Sequence, residues 1–89
     1  MTHQGAIQNS KVQERLRWRC RRGMLELDLL LLGFLERHYA ALPEIQQRAF
    51  QALLCHSDEM LLAWLLGRES PTDGVIADVV AKIRHAAAS

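Results

Sequence analysis

The 89-residue chain has little of what interrupts regular structure, with two prolines and five glycines in all. It has only two cysteines, Cys20 and Cys55, and no CxxC pair. That excludes a disulfide framework and suggests reduced thiols of the kind kept in a cytosol-like compartment. The charge-free stretch at the heart of the most apolar zone, Leu29 to Leu35, is seven residues, against the roughly 20 needed to cross a bilayer. No membrane insertion is expected. The first ten residues hold no arginine, no apolar core and no small-residue cleavage pattern. Neither secretion nor organelle import is signalled, and a cytoplasmic location is expected. Catalytic motifs are equally scarce: no glycine-rich phosphate loop, no GxSxG, no HExxH and no Cys and His set at metal-ligand spacing. A chain this short makes one domain of modest stability, which excludes an active-site cleft between two domains.

Hydrophobic residues make up 49% and charged residues 24%, the profile of a folded chain. The net charge of +1 conceals an uneven distribution. Residues 1–22 carry six cations, Lys11, Arg15, Arg17, Arg19, Arg21 and Arg22, against Glu14 alone, a net +5. The remaining 67 residues carry five cations against nine acids, a net −4. Such polarity implies a partner.

Apolar residues recur at spacings of three and four, and only the last segment is rich in β-branched residues, so the expected fold class is all-α, a compact bundle of five short helices. A first helix is expected over 11–22, ended by Gly23, with its arginines at the negative end of the helix dipole. The second, over 24–41, is apolar nearly all round and therefore central. A close helix crossing would account for Gly33 inside it. Pro43 opens a third helix whose stripe is Ile45, Ala49, Phe50, Leu53 and Leu54, with Glu44, Gln47, Arg48 and Gln51 opposite. Ser57 caps a fourth, with Asp58 and Glu59 in its first turn. Ser70, Pro71 and Asp73 precede a fifth, on which Val75, Ile76, Val79, Val80 and Ile83 repeat. The domain is expected over 11–85, with flexible ends at 1–10 and 86–89.

The chemistry-bearing residues have mostly structural readings. Cys55 and His56 are adjacent and so point about 100° apart on a helix, which suits a buried Cys55 with a surface His56 better than a metal site. Cys20 lies among arginines, which would activate a thiolate, yet it also fits a small apolar position on the inner face beside Leu16. A thiol enzyme centred on Cys20 is one competing hypothesis. Glu26 and Asp28 stand about 200° apart and are no acid–base pair. Asp28 reads as a helix-start charge. Glu26 shares a face with Leu29, Leu30 and Gly33, an odd place for a carboxylate unless Arg22 or a partner pairs with it. The basic run KVQERLRWRCRR, with Trp18 inside it, supports the alternative of a small basic nucleic-acid-binding or antitoxin-type regulatory module.

The segment RWRCRRGMLELD, residues 17–28, resembles the RGxxE signature of the small succinate dehydrogenase assembly factors, the flavinylation factors. The likeness continues through GFLERHY with Phe34, Glu36 and Tyr39, through Phe50, Leu53 and Leu54, and through SDEMLLAWLL with Asp58, Leu62, Trp64 and Leu65. The resemblance implies a five-helix assembly chaperone, not an enzyme, that binds the flavoprotein subunit of succinate dehydrogenase, and often that of fumarate reductase. It promotes covalent attachment of FAD to a histidine of that subunit, and the flavin supplies the bond-forming chemistry. No cofactor is then held stably by this chain, and no nucleic-acid partner is expected. Arg22, Gly23 and Glu26 match the partner-binding positions, flanked by Arg21, Met24 and Asp28. On this reading the break at Gly23 presents Arg22 and Glu26 together on one surface.

Overall fold

A computed structural model describes residues 2–88, with side chains for 11–88. Its described residues form five helices and no strand: α1 (Thr2–Arg19), α2 (Leu25–Arg37), α3 (Glu44–Leu53), α4 (Asp58–Leu65) and α5 (Gly74–Ala88). The all-α bundle expected from periodicity is the fold observed. α2 touches α1, α4 and α5, and α5 lies chiefly against α3, so α2 and α5 are the spine of the molecule.

Helix ends differ from expectation where periodicity had nothing to register. The backbone of α1 is already helical at Thr2, in a stretch without an apolar stripe, and it ends at Arg19 rather than Arg22. Beyond Arg19, the N–H of Cys20 still reaches Leu16 and that of Arg21 reaches Trp18, and then the chain turns away. α2 stops at Arg37, and Tyr39–Ala41 form a single tighter turn. Leu42 is extended, as a residue before proline must be, and this prevents a continuous helix into Pro43. The short turn is pinned to α3: Gln47 Nε2 donates to the Tyr39 carbonyl at 3.0 Å and Gln51 Nε2 to the Tyr39 hydroxyl at 2.9 Å. The supposedly solvent-facing side of α3 thus supplies two structural hydrogen bonds.

The other ends follow local chemistry. Ser57 Oγ accepts from the Met60 N–H at 3.2 Å and caps α4. Asp73 Oδ1 accepts from Val75 at 2.8 Å and Ile76 at 3.0 Å and caps α5. At the far end of α4, Gly67 adopts φ +78°, its N–H reaches the Trp64 carbonyl and that of Arg68 reaches Ala63. This paired closure satisfies two orphan carbonyls and needs a residue that tolerates positive φ.

The core is built from Leu27, Leu31 and Leu35 of α2, Phe50 and Leu53 of α3, Leu61 of α4, and Val79 and Ile83 of α5, with Tyr39, Phe34 and Phe50 forming an aromatic chain at 5.5 to 5.8 Å between centroids. Two expectations fail. Ile45 is exposed, because the buried side of α3 begins one turn later, at Ala49. Gly33 marks no tight crossing, since a Cβ there would meet nothing within 4 Å.

Leu16 and Cys20, one turn apart, dock α1 on this core, and Cys20 is fully buried. Burial pushes its thiol from 9.0 to about 12, against the lowering influence of the Arg19 and Arg22 guanidiniums and with a small upward push from Asp28. At neutral pH Cys20 is therefore a protonated, packed thiol. In the unfolded chain it ionises near 9, so its stabilising contribution is complete below pH 9 and is lost as pH rises towards about 12. Urea unfolding followed from pH 8 to pH 11 is expected to lose up to about 1.4 kcal/mol per pH unit above 9 through this group, a slope absent from Cys20→Ala. Identical pH profiles for the two proteins would refute the assignment.

Candidate functional site

The connection between α1 and α2, residues 20–24, forms a sharp corner held from inside by Arg22. All three guanidinium nitrogens are engaged. Nε donates to Asp58 Oδ1 at 2.7 Å, one terminal nitrogen to the carbonyls of Leu54 at 2.8 Å and Arg19 at 3.4 Å, and the other to the carbonyl of His56 at 2.5 Å. Three of the four acceptors sit where a cation is wanted. Arg19 and Leu54 are at the negative ends of α1 and α3, and Asp58 is the first residue of α4. The side chain is 17% exposed, and one planar fork ties three helices together.

Asp28, in the first turn of α2, completes the corner. Its carboxylate accepts the backbone N–H of Arg22 at 2.7 Å and that of Gly23 at 3.3 Å. These bonds hold the chain where Gly23 takes φ +84°, a conformation that costs a non-glycine residue about 1–2 kcal/mol. A Cβ on Gly23 would meet nothing within 4 Å, so the requirement inside the free protein is conformational and the space outside Gly23 is open.

The matched positions therefore divide. Arg22 and Asp28 turn inward and hold the corner. Arg22 does not pair with Glu26 and is not offered with it on one surface, contrary to the sequence reading; Asp58 and three carbonyls have claimed it. Glu26 is exposed and its carboxylate has no partner among the described residues. Around it lies a large apolar surface: Leu25 is 75% exposed, Leu29 62%, and Met24 is open as well. On the α1 side Trp18, 71% exposed, carries the Arg21 guanidinium 5.1 Å from its ring centre. A carboxylate among exposed leucines, next to an arginine on an indole, is what a docking surface presents, because the apolar area supplies affinity and the charges set register.

The remaining candidates are structural. Cys55 and His56 reverse the expected roles: Cys55 is exposed, its Sγ accepting from Arg19 at 3.0 Å, while His56 is half-buried with its ring 4.7 Å from that of Trp64, edge on. Cys55 follows Gln51 and Ala52 by one turn and so faces away from the stripe of Ala49, Phe50, Leu53 and Leu54. Among the described residues no three of His, Cys, Asp and Glu gather to hold a metal. The basic run is also partly spent at home. Arg17 pairs with Glu36 at 3.4 Å, Arg19 donates to the Gln51 carbonyl at 2.9 Å, and Arg22 is the internal fork. Lys11, Arg15 and Arg21 remain exposed and stand in no ion pair among the described residues. Sequence reasoning missed Asp58 as part of the site. Its signals were its place behind the Ser57 cap and its presence among the residues that carry the family resemblance.

Comparison with known proteins places the chain as a whole. The family model described as flavinator of succinate dehydrogenase matches residues 14–87. The chain is 46% identical over 77 residues to the FAD assembly factor SdhE of Legionella pneumophila (strain Paris), covering 86% of this chain and 96% of that one. It is 39% identical over 72 residues to the FAD assembly factor SdhE of Coxiella burnetii, covering 81% and 88%. With the protein of the same name from Idiomarina loihiensis it shares 41% over 70 residues, covering 79% and 78%.

The division between inner and outer residues is measurable. Arg22→Lys, which loses the fork, is expected to lower unfolding free energy by about 1.5–3 kcal/mol, whereas Glu26→Gln should change it by no more than about 0.5 kcal/mol. Urea titrations followed by tryptophan fluorescence separate the two; equal losses would overturn the division.

Proposed function

The chain belongs to the family of flavinators of succinate dehydrogenase, and from that premise we propose how its corner serves the family's task. It binds the flavoprotein subunit of succinate dehydrogenase as an assembly chaperone and promotes covalent attachment of FAD to that subunit. The observation carrying this reading is Glu26, exposed and unpaired beside Leu25 and Leu29, on a corner that Arg22 and Asp28 make rigid.

The physical course is as follows. Leu25, Leu29 and Met24 lose water against the partner, and the buried area supplies affinity at about 25 cal/mol per Å² before the costs of association. Glu26 takes hydrogen-bond donors of the partner, and Arg21, held over Trp18, takes an acceptor. The open space outside Gly23 lets the partner's surface approach the backbone closely. Docking favours the conformation in which the partner's acceptor histidine lines up with its flavin. Alignment of that kind is worth several kcal/mol and needs no added catalytic group. The flavin supplies the bond-forming chemistry, so the chain acts as a non-catalytic helper and holds no cofactor of its own.

The flavoprotein of fumarate reductase is a second client in this reading, and the cytoplasm is where both are met before joining their membrane partners. Among the described residues no helix is long and apolar enough to cross a membrane.

The test is reconstitution. Purified flavoprotein subunit, FAD and this protein are mixed, and covalent flavin is followed by fluorescence after denaturing electrophoresis. Leu25→Asp and Glu26→Ala are expected to slow covalent flavin formation about tenfold or more while leaving unfolding curves nearly unchanged, and Ile45→Asp, an exposed apolar position away from the corner, to leave the rate as it was. Equal rates with and without the protein would reject the proposal.

A further inference from the structure

Beyond the corner, the face of α2 that carries Glu26 continues into a groove against the last turns of α5. Its floor is apolar and partly made of small residues: Leu29, Leu30, Gly33 and Phe34 from α2, Ala86 and Ala87 from α5. Three adjoining hollows form it. The first two share Phe34, His38 and Ala86, and the second and third share Leu30, Ile83 and Ala87. The widest part, beside Phe34 and Ala86, encloses about 470 Å³. The features left without a role in the fold fall together here. Gly33 has open space where a Cβ would stand, and the alanines at the end of α5, which carry no motif, leave room for something else.

The charges around the groove are one-sided. Residues 23–89 hold nine acids and five cations. Three of the cations, Arg37, Lys82 and Arg84, border the groove, and none of the nine acids does. None of these three cations stands in an ion pair among the described residues; Lys82 Nζ donates only to the neutral Gln46 side chain at 2.5 Å. A positive rim around an apolar floor, on a body that is otherwise net negative, is complementary to an apolar segment bearing carboxylates.

The geometry points to this groove as a second docking surface, continuous with the corner, which takes an apolar, carboxylate-bearing segment of the same flavoprotein subunit. The inference rests on the proposed function for the identity of the partner, but the groove's floor and rim stand on their own. Leu29 belongs to both surfaces. A partner seated on Glu26 and Leu25 extends naturally along α2 towards Arg37, and the two contacts together fix its orientation as well as its position.

A benzophenone side chain placed at Ala87, and separately at Leu25, tests both surfaces with the purified, FAD-loaded flavoprotein subunit. The expected result is a covalent adduct from each site, with the Ala87 adduct on an apolar partner peptide that contains Asp or Glu. Arg37→Glu combined with Lys82→Glu is expected to weaken binding about tenfold at 0.1 M salt, and Arg68→Glu, a cation outside the groove, to leave it within about twofold. An adduct from Leu25 with none from Ala87 overturns the groove and leaves the corner standing. So does an Ala87 adduct with a second copy of this chain, or unchanged binding by the double variant. Failure of both probes overturns the corner and the groove together.

Discussion

A single guanidinium organises the molecule. Arg22 collects the free carbonyls at the ends of α1 and α3 and the acid that opens α4, at distances of 2.5 to 3.4 Å. These groups would otherwise need water, because a helix end leaves its last carbonyls without internal partners. The charge assists each bond, and the rigid fork satisfies several acceptors at little extra entropic cost. Without it the three helix ends around the corner would each lose a partner, and residues 20–24 would lose one of the two side chains that hold their shape.

The corner also shows how one short signature serves two purposes. Of its residues, Arg22 and Asp28 face inward and bind backbone; Gly23 supplies the conformation; Leu25 and Glu26 face outward. A surface that must recognise another protein benefits from being rigid before contact, since ordering it on binding would consume part of the affinity. In the proposed docking, the inward residues contribute to recognition without touching the partner.

Much of this was legible in the sequence, and the illegible parts have physical causes. Ser57 and Asp73 announce helix starts because capping is local chemistry, and Leu16 with Cys20 reads as an inner face because a turn's spacing is local too. The inward turn of Arg22 is not local: three of its four acceptors lie 32 to 36 residues away, on elements whose approach only the folded chain defines. The same holds for Gln47 and Gln51, whose partner Tyr39 belongs to a turn that periodicity merges into α2. Cys55 lies one turn after Gln51 and Ala52, on the side of α3 away from its stripe, so its exposure follows helical spacing, whereas its residue type alone suggests burial. The exposed Leu25 and Leu29 could not be told from core leucines on a helix apolar nearly all round.

The distance between Arg22 and Asp58 along the chain has a consequence for how the protein is made. During synthesis residues 22–28 leave the ribosome before α3 and α4 do, and at that stage Arg22 has neither its carboxylate nor its far carbonyls. A nascent or truncated chain therefore carries the corner residues without the bonds that shape them, and the corner is set only when the second half has folded back on the first. The long-range closure that stabilises the fold is therefore also the event that sets the corner.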